Sequence, residues 1–173
     1  MNNVKHIVHE AKILYGISLK HNLKEDQTEH IVDAMKAYVK QYIEPNYLIQ
    51  IYISDDFTEN TDFITFVGSD QGGHADLNVL NIPEGEYLAF EHPGDESEID
   101  LTHAEIHRYL KSQHITVTSN FDFEKWERST GKIFIFIPLE TAVIEIPDII
   151  DKVQLLEIPK NRRAKTHLQN KTD

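Results

Sequence analysis

Cysteine is absent from this chain of 173 residues, which excludes a disulfide framework, a thiolate nucleophile, and zinc-finger or iron–sulfur ligation. Glycine and proline are sparse, at 7 and 6, so the chain is neither collagen-like nor dominated by linkers. Long apolar runs are missing too. The longest, such as Ile133 to Leu139, fall far short of the ~20 residues that cross a bilayer. His6, His9, Glu10 and Lys12 interrupt the apolar residues of the N-terminus, and no secretory signal is read there. The expectation is a cytoplasmic protein without membrane contact.

Positive charge is also short. Lys and Arg number 17 against 29 Asp and Glu, a formal net charge of −12. Lys160, Arg162, Arg163, Lys165 and Lys171 against Asp173 make residues 160–173 +4, so residues 1–159 carry −16. A body that acidic repels phosphate backbones, so direct nucleic-acid binding is not expected and cations are the natural partners. The basic end reads as a solvated, flexible tail. What the chain does have is 40% apolar residues, enough for one packed domain of ordinary size.

The elements come in a repeated order. Ala11 to Leu19 is rich in β-branched and aromatic residues and reads as a first strand. Gly16 within it implies a bulge or a close approach by another backbone. Asp26 with Glu29 fits a capping box, and Ile31, Met35, Tyr38 and Tyr42 recur at helical spacing up to Pro45. Tyr47 to Ser54 and Asp62 to Gly68 then form a hairpin. GSDQGG at 68–73 lacks the Lys-Ser/Thr ending of a phosphate cradle and reads as a turn. After Gly85 the order returns: strand Glu86 to His92, a helix capped by Thr102 and Glu105, and a hairpin of Ser119 to Glu127 with Lys132 to Leu139. Strand–helix–strand–strand therefore occurs twice. Residues 140–159 are apolar enough to pack on the body.

At the second repeat the residues resemble a known family. Ile82 to Gly94 (IPEGEYLAFEHPG) is similar to the "IPaG-x-Yavf-x-h-x-G" strand of GyrI-like small-molecule-binding domains. Phe123-Glu124-Lys125-Trp126 resembles their "F-E-x-Y" strand, and Gly131 to Leu139 their closing "E-I-Y-I-P-L" strand. The resemblance implies an α+β fold, in which two pseudo-symmetric repeats form one curved antiparallel sheet with helices on one face and a ligand cleft between the repeats. The domain would span residues 1–140 (repeat one about 8–70, repeat two about 82–140), followed by a packed extension at 141–159. Family members sense lipophilic cations, often behind a DNA-reading helix pair. Only about a dozen residues precede the first strand here, so a stand-alone domain is expected.

A cleft for a flat organic cation needs aromatic walls and a carboxylate. Strand alternation puts Phe134 and Phe136 on one face of the last strand and Ile133, Ile135 and Ile137 on the other. The family carries an acidic residue four positions before the closing proline, on the ligand face; here that position is Phe134. The candidate replacements are Glu124, which shares a face with Trp126, and Glu91, which shares one with Tyr87 and Ala89. Tyr52 and Phe66 are the expected lining from the first repeat. The expected function is thus polyspecific binding of small aromatic or lipophilic cations, without cofactor or metal. His103 and His107 have ligand spacing but read as surface histidines. Two alternatives stand beside this: hydrolysis of a strained electrophile with Glu124 as base, and an acidic module for a protein partner, as in gyrase-inhibiting relatives.

Overall fold

Apolar residues alternating along eight short segments decide the architecture. The computed structural model describes residues 3–25, 30–152 and 155. Its strands are β1 (Val4–His9), β2 (Lys12–His21), β3 (Tyr47–Tyr52), β4 (Phe63–Ser69), β5 (Asn78–Ile82), β6 (Gly85–Glu91), β7 (Phe121–Glu127) and β8 (Lys132–Pro138). Its helices are α1 (Ile31–Lys40) and α2 (Ile99–Ser112). All strands join one antiparallel sheet in the order β1-β6-β8-β7-β3-β4-β2-β5. The expected repeats are there: β2-α1-β3-β4 builds one half, β6-α2-β7-β8 the other, and they meet where β3 pairs with β7.

Hydrogen bonds at that seam are matched in pairs. The Trp126 N–H donates to the Asn46 carbonyl at 2.8 Å, and the Tyr52 N–H donates to the Asn120 carbonyl at 2.7 Å. Asn46 and Tyr52 are thus to the first hairpin what Asn120 and Trp126 are to the second. The registers carry the equivalence outward. Ile49 pairs with Phe66 and Phe66 with Ser18, as Phe123 pairs with Phe136 and Phe136 with Ala89.

Two short links force the sheet to curl. Only residues 10–11 join β1 to β2, yet six strand positions separate them in the sheet. Laid flat, that gap would be about 29 Å at ~4.8 Å per strand, while the link reaches at most about 11 Å. Residues 83–84 impose the same condition on β5 and β6. The edges therefore approach one another and the sheet becomes a half-barrel. Gly16 lies opposite Gly68 in the tight part of this curl. A Cβ on Gly16 would strike the Val67 carbonyl, which is the close backbone approach the sequence implied.

Helices α1 and α2 cover the outer face. Ile31, Ala34, Met35 and Val39 of α1 pack on Ile17, Leu19, Leu48 and Val67, a stripe of helical period meeting one strand face. Ile106 and Leu110 of α2 pack on Leu88, Phe90, Ile135 and Ile137.

Several local expectations change. The Asp26–Glu29 box lies outside the described residues. Thr102 is no cap: α2 starts at Ile99, and the buried Thr102 hydroxyl is bonded to His92 Nδ1 at 2.6 Å. Asp95 caps the short 3₁₀ turn (Glu96–Glu98) that runs into α2, its carboxylate accepting from the Ser97 N–H, and Glu98 at the start of α2 makes no side-chain cap bond. Helix α1 ends at Lys40, before Pro45, with the Tyr42 and Ile43 N–H groups both turned onto the Val39 carbonyl. Strand β1 was not read from the sequence. After Pro138 the chain crosses the inner face as an irregular strap. Ile144 is buried there, and Ile149 bridges Ser18 in parallel at the β2 edge.

Candidate functional site

The inner face of the half-barrel is where strand alternation collects aromatic rings. Tyr47, Phe66, Tyr87, Phe121, Phe123 and Phe136 all belong to one buried cluster there. Phe123 stacks on Phe136 with centroids 4.8 Å apart. His9, at the end of β1, lies among Tyr87, Phe123 and Phe136, with centroids 5.4–5.6 Å away. Its Nδ1 lies 2.7 Å from the Glu10 carbonyl; a carbonyl only accepts, so Nδ1 carries the proton. Burial pushes the His9 pKa down, and Lys125 and Lys12 push the same way against the Glu10 carbonyl. At neutral pH it is an uncharged ring in an aromatic cage.

The rings fill the seam itself, and open space lies beside it in the second half. A groove of about 320 Å³ has Ala89, Phe134 and Phe136 as its floor, with Ile7 and Lys5 of β1 along one wall and Lys125 and Glu127 of β7 along the other. Glu91 stands at its rim, in register directly opposite Phe134. The Glu91 carboxylate lies 3.0 Å from the Lys132 ammonium and accepts from Asn3 Nδ2 at 3.3 Å. Lys132 is half exposed, and exposed ion pairs of this kind contribute only about 0–1 kcal/mol. A desolvated organic cation can compete for that carboxylate.

The eight residues singled out from the sequence divide between the two faces. Phe66, Tyr87, Glu91, Phe134 and Phe136 lie on the inner face, the last three at the groove. Tyr87 is closed into the core with its hydroxyl donating to the Pro83 carbonyl at 2.6 Å. Tyr52, Glu124 and Trp126 point the other way, beneath the helices. Glu124 is buried with its Oε1 3.4 Å from His103 Nε2, so it is neither free nor in the groove. His103 is accordingly turned to the sheet and is not the surface histidine expected. Burial lowers its pKa, but Glu124, Asp122 and Asp100 outweigh burial and hold it above the ordinary value. Trp126 packs on the α1 side with Lys36 Nζ 4.5 Å from its ring centroid.

Between these groups lies a residue that sequence reasoning missed. The Asp122 carboxylate accepts from the Tyr52 hydroxyl at 2.9 Å. Burial raises its pKa to about 6, while His103, Tyr52 and His107 pull it down and Glu124 pushes it up. An Asp between two strand phenylalanines was the available signal. Among the described residues no group of three His, Cys, Asp or Glu side chains is arranged to hold a metal ion. No helix is long and apolar enough to cross a membrane, again among the described residues.

Residues 4–140 match the GyrI-like small-molecule-binding domain. No curated protein matches the chain. Among solved structures, an integron cassette protein from the mobile metagenome of Vibrio cholerae superposes with a TM-score of 0.63 at 14% identity, over 79% of this chain and 95% of that one. A protein solved with tetraphenylphosphonium bound gives a TM-score of 0.59 at 15% identity, over 79% and 93% of the two chains. EcmrR in complex with DNA gives 0.55 at 12% identity, over 81% of this chain and 58% of that one. At these identities the likeness is one of fold.

Proposed function

This chain belongs to the family of GyrI-like small-molecule-binding domains, and we propose that it binds lipophilic aromatic molecules, cations foremost, in the inner-face groove of its second half. The observation that carries the reading is the position of Glu91. Where the family's closing strand bears an acid, this chain has Phe134, and Glu91 faces that position from the neighbouring strand. A carboxylate thus stands one strand across from that position, at the same level of the sheet. Phe134 and Phe136 supply ring surface beside it, and each cation–ring contact contributes on the order of 0.5–2 kcal/mol.

The groove's size and charge set the character of binding. About 320 Å³ sits at the small end of ligand pockets, open on one side, with few directional polar groups. Such a surface selects by shape and polarity and tolerates many molecules, with affinities near micromolar, about −8 kcal/mol. Lys5, Lys125 and Glu127 line the groove with Glu91, and Lys132 pairs with Glu91 from outside it. Preference for cations then comes from the exchangeable Glu91–Lys132 pair and from the acidic body as a whole. The relative solved with tetraphenylphosphonium supports that ligand class.

Calorimetric titration with tetraphenylphosphonium and with neutral triphenylphosphine oxide tests this. Glu91→Gln is expected to weaken the cation about tenfold, roughly 1.4 kcal/mol, and to leave the neutral compound within about twofold. Equal losses for both compounds would remove Glu91 as the cation's partner, and no binding of either would remove the reading. Hydrolysis with Glu124 as base finds no support in the geometry, because that carboxylate lies on the opposite face of the sheet from the groove and is held by His103.

A further inference from the structure

We propose that the first half of the inner face holds a second small-molecule site, closed by the strap of residues 141–149, which takes a neutral apolar molecule bearing one hydrogen-bonding group. The inference rests on the reading of the open groove as a ligand site. Its starting point is the pseudo-twofold relation. The groove's floor is Ala89, Phe134 and Phe136; the matching positions in the first half are Ser18, Ile64 and Phe66, by the register of β2 with β4 and of β4 with β3. The same surface thus exists twice, and the chain covers one copy itself.

The strap reaches that copy at Ser18. Ala142 and Ile144 pack into the inner-face cluster. Asn120 holds Ile144 by both ends, accepting from its N–H at 2.9 Å and donating to its carbonyl at 3.2 Å. Asn78 Nδ2 donates to the Asp148 carbonyl at 3.2 Å, and the Ile150 N–H donates to the Ser18 carbonyl at 2.9 Å. These few bonds, with no helix or ladder of its own, place the strap at the easily opened end of the structure's stability range.

A second observation points to an occupant other than the strap. The Ser18 hydroxyl is fully buried and, among the described residues, has no hydrogen-bond partner. A buried hydroxyl is ordinarily bonded, and the strap leaves this one unanswered. A ligand with a hydroxyl or carbonyl group would complete it. The chemistry of the ligand follows from the floor. Ile64 stands where the groove has Phe134, and Lys20 stands where it has Glu91. The covered copy has no acid in that place and favours neutral molecules.

The experiment is a calorimetric titration of the full chain with para-phenylphenol, with hydrogen exchange read at the Ile144 and Ile150 amides. The intact protein should bind one molecule per chain, in the open groove. Asn120→Ala should speed exchange at both amides and raise the count to two. Adding Ser18→Ala to it should weaken the second event about tenfold. Ile144→Ala replaces Asn120→Ala if the latter fails to fold. Faster exchange with the count still at one overturns the second site alone, as does a second event indifferent to Ser18→Ala. A count of zero for the intact chain and one for Asn120→Ala would sustain this site and remove the groove; zero for both removes both.

Discussion

The two halves of the inner face share a backbone plan and differ in what covers it. In the first half the strap bridges Ser18 through Ile149, and Asn120 holds Ile144 in the buried cluster that includes Ile64 and Phe66. In the second half, Ala89, Phe134 and Phe136 face an open groove with Glu91 at its rim. The outer face of the seam repeats the asymmetry. Leu48, Gln50 and Tyr52 of β3 correspond to Asp122, Glu124 and Trp126 of β7, so the buried charge sits only on the second repeat's strand. Among the described residues the duplicated fold therefore leaves the inner face open in its second half, where a carboxylate and one more ring stand, while the strap runs across the first.

Making the second half as closed as the first should have the largest effect. Ala89→Trp puts an indole onto the groove floor; the expected loss of tetraphenylphosphonium affinity is about thirtyfold or more, with the melting temperature nearly unchanged. Retained affinity would move the site elsewhere.

The next effect concerns the charged strand. The Asp122 pKa is raised from 3.8 to about 6 in the folded protein, so the folded state binds the proton more tightly than the unfolded state. Its contribution favours folding at low pH and is lost as pH climbs from about 4 to about 6. Asp122→Asn should flatten that part of the stability-versus-pH curve by on the order of 1–3 kcal/mol, as read by urea denaturation. His103 is also raised, so its share is full below pH 6.5 and is lost at higher pH as its folded pKa is passed; His103→Gln should remove that later decline. A wild-type curve that rises through this window beside an unchanged Asp122→Asn curve would contradict the assignment.

The smallest effect is expected at Trp126. It lies across the sheet from the groove, so Trp126→Phe should alter ligand affinity by less than about twofold, as for sites that share no partner. Saturable quenching of its fluorescence that tracks binding would place the ligand against the helices instead.

Much of this was legible in the residues, and the misses have physical causes. The two hairpins and the repeated order follow from alternation and turn chemistry. Strand β1 was hidden because Lys5, His6 and His9 break the apolar pattern, and an edge strand needs only part of it. Alternation did show that Glu124 and Trp126 share a face. It did not tell which face, because both sides of this sheet are buried, one by helices and one by curl. Thr102-x-x-Glu105 has the letters of a capping box, but the Thr102 hydroxyl serves His92 inside a helix that has already begun. The strap has no period at all, and its place is set by Asn120 and Ser18, far away in the chain.

The most direct measurement is a crystal structure of the full chain soaked with tetraphenylphosphonium. The phosphonium is expected over Phe134 and Phe136 beside a Glu91 carboxylate that has released Lys132, with the strap undisturbed. A ligand seated against Trp126 and α1, with the groove left as it is, would contradict it.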